Sequence, residues 1–190
     1  MNTDKKRCGW VKLSEPVYVA YHDEEWGRPL HDDRALFELF SLETQSAGLS
    51  WLTVLKKREG YRAVFDNFDL KTVAAYGEND IDRIIESGLV IRSRPKIKAI
   101  IGNAKGFLEI VEEYGSIDNY FWGKVSSKPI VNDIADYKTA MTTSELSDEV
   151  TKELKKRGFK FIGSTTIYAF MQACGMVDDH ENDCFCKTGL

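Results

Sequence analysis

Three groups of residues in this sequence are able to do chemistry. They are a glutamate where an apolar residue belongs, a set of cysteines and histidines split between the two ends, and a basic turn bounded by glycines. The glutamate is Glu43. The run from Asp33 to Ala47 reads as an amphipathic helix, with Leu36, Leu39, Phe40, Glu43 and Ala47 on one stripe. A carboxylate there points into the core or into a cleft, and burial without a partner is costly. Either backbone amides or an arginine satisfy it, or it is held for a ligand. Gly48 stops the helix and Ser50 with Trp51 opens the next, so an indole is expected beside the carboxylate. An acid next to a broad aromatic face suits a flat ligand that is cationic or rich in donors.

The second group is a possible metal site. His180 and Cys184 share one face if their segment turns helically, while Cys8 and His22 lie near the other end of the chain. Together they make Cys2His2, the closed tetrahedral set of a structural zinc, which would pin the two ends together. Each pair alone also fits free buried cysteine or core histidine. His31 has no partner at ligand spacing and is expected on the surface.

The third group follows from punctuation near the C-terminus. Ser147 is placed to cap a helix running through Val150 and Leu154 to Arg157, which Gly158 ends. Phe159 to Gly163 is too short for anything but a hairpin. Ser164 then caps a helix whose stripe is Ile167, Phe170, Met171 and Cys174. Such a turn aims backbone amides and a helix N-terminus outward, which makes an anion site. Lys152, Lys155, Lys156, Arg157 and Lys160 crowd this region against Glu153 alone. A second basic stretch, residues 92–105, carries Arg92, Arg94, Lys96, Lys98 and Lys105 with no acid. A plain helix pair with a solvated charged face remains the alternative.

The elements that must position these groups are helical. Asn79 is read as a cap for a short helix ending near Gly88, and Pro95 as the first turn of a long one. Trp51 to Phe65 and Ser116 to Trp122 continue the helical period, and residues 123–147 read as a long polar connection. No period-2 run is present, so an all-α fold is expected. With 190 residues, 43% hydrophobic and 29% charged, the chain suits one globular domain, taken as residues 1–190. A net charge of -4 argues against a generic polyanion binder but leaves local patches open. The polar N-terminus shows no signal peptide, no run is long enough to span a membrane, and four cysteines are too few for a secreted framework. A cytoplasmic monomer is expected.

Four stretches together resemble one family. They are Arg7 to Trp10, Tyr18 to Gly27, Leu42 to Trp51 and Gly158 to Gly163, and the likeness runs from about Cys8 to Cys184. They are similar to 3-methyladenine DNA glycosylase I, within the helix-hairpin-helix DNA glycosylase superfamily. The resemblance implies an all-α fold with the helix-hairpin-helix at about residues 148–174. It also implies hydrolysis of the N-glycosidic bond of 3-methyladenine in alkylated double-stranded DNA. It places the base-pocket glutamate on Glu43 and the pocket aromatics on Trp10, Tyr18, Tyr21 and Trp51. Lys160, Gly163, Ser164 and Thr165 become the expected DNA contacts. The zinc ligands fall on Cys8, His22, His180 and Cys184, the set already reached from spacing. No lysine opens the helix after the hairpin, so strand cleavage is not expected. Asp178 approximates the superfamily's catalytic aspartate position but ranks behind Glu43, and reads better as a solvated acid or a partner of His180. A non-catalytic DNA-binding module needs no recessed acid, and a metalloenzyme would need an open coordination position.

Overall fold

The helical periods of the sequence become ten α-helices in the computed structural model, which describes residues 5–188. They are α1 (Pro16–Glu24), α2 (Asp33–Gln45), α3 (Trp51–Leu55), α4 (Arg58–Val64) and α5 (Leu70–Ala74). There follow α6 (Glu78–Ser87), α7 (Arg94–Tyr114), α8 (Ile117–Gly123), α9 (Glu145–Lys156) and α10 (Ser164–Ala173). The Glu43 helix is central: α2 is buried from Leu36 to Gln45 and packs on α7, α8 and α10. Its start is held by Asp32, whose side chain accepts from the Ala35 amide at 2.8 Å. Phe37, Phe40, Phe107, Phe121, Phe159 and Phe170 join around it edge to face or tilted, the arrangement aromatic quadrupoles favour. Gly106 admits this packing, since a Cβ there would lie 2.4 Å from the Phe159 ring.

Several helix ends differ from their sequence reading, each for a local reason. Ser144, not Ser147, caps α9; Ser147 is three residues in and returns the bond by accepting from the Ser144 amide. Gly77, not Asn79, precedes α6, because the Asp80 carboxylate accepts from the Gly77 amide at 3.0 Å. Gly163 takes the cap position of α10 and Ser164 becomes its first residue. The single run expected from Trp51 to Phe65 breaks at Lys56 and Lys57 into α3 and α4. Gly48, Gly88 and Gly158 do end helical runs with φ of 77°, 66° and 86°.

The all-α expectation needs one correction. Strand β1 (Ile130–Val131) pairs in parallel with β2 (Val177–Asp178). Two residues are too short to register as alternation in the sequence. The pairing has a consequence, because it draws the long connection after α8 against the C-terminal segment carrying His180.

Candidate functional site

Two glutamates on α2 are buried, and their environments are opposite. Glu38 is bound by Arg58 and Arg62, at 2.5 and 2.8 Å. Glu43 is 6% exposed, and its carboxylate accepts no hydrogen bond from any side chain or backbone amide among the described residues. Burial alone pushes its carboxyl up to about 8. The arginine reading therefore belongs to Glu38, while Glu43 is left to face a cavity of about 320 Å³.

That cavity is built where α1, α2, α3 and α10 meet. Trp10, Tyr18, Tyr21, Trp26, Trp51 and Tyr137 line it with Glu43. Trp10 and Tyr18 lie with ring centroids 5.0 Å apart, Tyr21 and Trp51 5.3 Å apart. The Trp51 indole N–H is buried with no acceptor. The phenols of Tyr18 and Tyr21 are raised, first by burial and then by the Glu43 charge. Thus the four aromatics expected in a pocket are brought together with the glutamate. Trp26, Tyr137, Met141, Tyr168, Gln172 and Asp179 complete the lining without having been singled out. Trp26 was legible from its place in the Tyr18 to Gly27 stretch; Tyr137 and Met141 sit in a connection with no periodic signal.

Behind Glu43, Lys96 holds the end of α2. The residue is 8% exposed, and its ammonium donates to the carbonyls of Gln45 and Ala47, each at 2.7 Å. Gln45 ends α2 and Ala47 follows its cap, so the ammonium sits at the helix C-terminus, where a cation is favoured. Gln45 returns a bond to the Lys96 carbonyl at 3.2 Å. Lys96 is thus internal. Arg94 pairs with Glu78 and Asp82, and Lys98 with Glu78, so much of the basic stretch at 92–105 is neutralised.

The patch beside α10 remains open. Lys152, Lys155 and Lys156 are exposed and, with Asp148, Thr151 and Ser164, surround a shallow concavity. Ser164 Oγ lies 2.7 Å from Ser147 Oγ. The turn between α9 and α10 is tied to α7 by Asn103, which accepts from the Lys160 amide and donates to its carbonyl. Phe161 stands at its tip with φ of 55°, a strained region for a bulky residue. Gly163 is extended, at φ -150°, and a Cβ there would meet nothing, so its backbone does not require glycine. Thr165, the second residue of α10 and an expected DNA contact, is exposed and also lines the cavity.

The cysteine and histidine residues converge as well. Ligand atoms of His22, His180, Cys184 and Cys186 lie within 4.8 Å of one another. Three of these were expected, and Cys186 was not. Cys8 stands at the edge of this group, its thiol raised first by the hydrogen bond with Cys184 and then by burial. The Glu181 amide also donates to Cys8 Sγ at 3.3 Å. His22 Nδ1 contacts Asp23, and His180 Nδ1 contacts Asp178, each at 2.8 Å. Both rings are thereby turned to offer Nε2. That of His180 is buried with no partner, while that of His22 lies 3.4 Å from Cys184 Sγ. Gly27 makes room: at φ 74°, a Cβ there would lie 2.4 Å from the His180 ring. An orphaned imidazole nitrogen beside thiols, with carboxylates behind both rings, fits a bound metal ion.

Asp178 is the partner of His180 rather than a group in the cavity. Burial would raise its carboxyl, but hydrogen bonds from His180 and Thr188 outweigh that and hold it below the usual carboxylate range. His31 is on the surface as expected, 2.7 Å from Asp118.

The chain as a whole is similar to proteins of known kind. The chain is 50% identical over 182 residues to DNA-3-methyladenine glycosylase of Haemophilus influenzae, covering 96% of this chain and 98% of that one. It is 48% identical over 184 residues to DNA-3-methyladenine glycosylase 1 of Escherichia coli, covering 97% and 98%. A tyrosine-to-phenylalanine variant of 3-methyladenine DNA glycosylase I, solved in complex with 3-methyladenine, superposes with a TM-score of 0.92 at 39% identity. That match covers 96% of this chain and 98% of the other. The methyladenine glycosylase family pattern matches residues 10–187, and the chain belongs to that family.

Proposed function

We propose that this chain is a monofunctional DNA-3-methyladenine glycosylase that acts as a monomer on alkylated double-stranded DNA. The observation that carries this reading is Glu43, a buried carboxyl with no partner in a cavity walled by aromatic rings. The cavity's volume of about 320 Å³ falls within the roughly 300–1,000 Å³ of small-ligand pockets. A base inside a duplex must leave the stack to reach such a site. 3-Methyladenine in DNA is cationic; a cation beside Glu43 favours loss of the proton that burial retains there, and the resulting carboxylate together with the aromatic faces selects the lesion over neutral adenine. Glu43 accepts from the exocyclic amino group, Trp51 supplies a stacking face, and Trp10, Tyr18 and Tyr21 close the sides.

Departure of the cationic base takes the electrons of the glycosidic bond with it and leaves a neutral base. No strong general acid is needed. Water adds to the sugar carbon and loses a proton to solvent. Glu43 acts by recognition and by its field. With no amine at the start of α10 to form an imine, the sugar–phosphate strand is left intact. The α9–turn–α10 segment is read as the helix-hairpin-helix, with Lys160, Gly163 and Ser164 toward the backbone and Lys152, Lys155 and Lys156 adding attraction.

The Cys/His cluster is read as a structural zinc site formed by Cys8, His22, His180 and Cys184. Zinc takes four ligands, and Cys186 Sγ faces His22 Nδ1, 4.0 Å away, the nitrogen already engaged by Asp23. When bound there, zinc supplies a cross-link between the two ends of the chain.

The test is release of free base from methylated duplex DNA, followed by chromatography of the released bases. 3-Methyladenine is expected in the product with the strand uncut until alkali is added. Tight duplex binding with no base released would reduce the protein to a damage-binding module.

A further inference from the structure

Asp179 is a second carboxylate in the lining of the cavity, and unlike Glu43 it is fully engaged. It is 3% exposed. Its Oδ1 accepts from Asn132 Nδ2 at 2.6 Å, and its Oδ2 accepts from Tyr168 Oη at 2.8 Å and Gln172 Nε2 at 2.7 Å. The three donors come from different places: Asn132 follows β1, Tyr168 and Gln172 lie one turn apart on α10, and Asp179 itself follows β2. A carboxylate only accepts, so each of these bonds has a fixed direction. Gln172 must turn its NH2 to Asp179. Its carbonyl oxygen is left with no hydrogen bond from the described residues, in a side chain that lines the cavity. Tyr168, also in the lining, has spent its hydrogen and retains only lone pairs.

We infer that Asp179 is a positioning residue that orients Gln172 so that its side-chain carbonyl, not its amide, faces the cavity as a second hydrogen-bond acceptor besides Glu43. The inference rests on the glycosylase reading for its ligand. It deepens that reading by assigning selectivity. Acceptors from both α2 and α10 favour a purine edge bearing an amino group, and disfavour one bearing an oxo group, which brings two acceptors face to face. Discrimination of 3-methyladenine against 3-methylguanine is the expected outcome.

The test is titration of free 3-methyladenine and 3-methylguanine into the parent and three variants, with melting temperatures alongside. Asp179→Asn replaces one acceptor oxygen by an NH2 donor, so the direction of the bond to Gln172 is no longer fixed and Gln172 is free to present NH2 to the cavity. 3-Methyladenine affinity is expected to fall about tenfold, the scale of one hydrogen bond, and the preference over 3-methylguanine to shrink. Adding Gln172→Glu to that variant reverses the pair: a carboxylate at 172 accepts from the amide at 179 and again shows an acceptor to the cavity. Affinity should return to within about threefold of the parent. Gln172→Met, which leaves Asp179 with its other two donors, should by itself lose about as much as Asp179→Asn.

Unchanged affinity in Gln172→Met overturns the inference. So does equal loss in the single and double variants with matching falls in melting temperature, which would make Asp179 a structural anchor only. The parent's base-release assay runs beside these titrations. If the parent releases no base, the glycosylase reading fails on that result, whereas the swap decides the orientation of Gln172.

Discussion

Glu38 and Glu43 occupy the same helix and the same degree of burial, yet only Glu38 has arginines. Leaving Glu43 unpaired destabilises the fold in a way that depends on pH. Its folded value, about 8, lies above the ordinary 4.5, so between these limits the folded state holds the extra proton. Stability therefore falls as pH rises through that window and reaches its floor above about 8. Glu43→Gln should melt higher than the parent at about pH 9, with the gain shrinking toward pH 5 and vanishing only below about pH 4, where the parent's carboxyl is protonated in both states. The same substitution should weaken 3-methyladenine binding by about 1.5–3 kcal/mol, because a charge-assisted bond is replaced by an amide with a donor. Adenine should lose less. A Glu43→Gln protein that binds the lesion normally but melts far lower at every pH would make Glu43 a structural acid.

At the scale of elements, α9, the turn and α10 separate two tasks. The lysines and the turn face outward, while Thr165, Tyr168 and Gln172 of α10 face the cavity. Lys160 has its backbone fixed by Asn103, and its side chain is exposed. Lys160→Ala should thus weaken binding to alkylated and plain duplex alike, lower the dependence on salt, and leave free-base affinity unchanged. Fluorescence anisotropy across a salt series would show it. A parallel fall in free-base affinity would mean that the turn shapes the pocket. Gly158, at φ 86°, is the glycine in this element whose backbone needs the residue. Gly163, at φ -150°, tolerates substitution as far as its own backbone is concerned.

For the whole molecule, the decisive arrangement is the joining of the chain's ends beside the cavity. His22 sits on α1, which also carries Tyr18 and Tyr21, while His180 is adjacent to Asp179 and packs against Trp26 with ring centroids 4.6 Å apart. A zinc ion at this junction would hold both walls of the pocket. The purified protein should contain one zinc per chain, measurable by atomic emission. Cys184→Ser should lose metal and melt lower, because metal binding and folding are linked. Cys186→Ser should keep its zinc, and metal loss from that variant would exchange Cys186 for Cys8 in the ligand set.

Sequence by itself determined which faces turn inward. A 3.6-residue period placed Glu43 on the buried stripe of α2, and glycines at 48, 88 and 158 ended helical runs where a left-handed φ was needed. Three of the four expected metal donors fall in the tight cluster, and the four expected aromatics line the cavity, because residue type and motif name them without coordinates. Partnership was not legible. Glu38 lies off the stripe, and nothing local shows that it too is buried and takes two arginines, or that Arg94 and Lys98 are spent on Glu78 while Lys96 caps α2. The same holds for Cys186 near His22, and for Asp179 gathering Asn132, Tyr168 and Gln172 through the two-residue β pairing. Periodicity encodes the direction a side chain takes from its own element. Which charge or donor it meets there depends on segments far away in the chain, and packing alone brings them within hydrogen-bond reach.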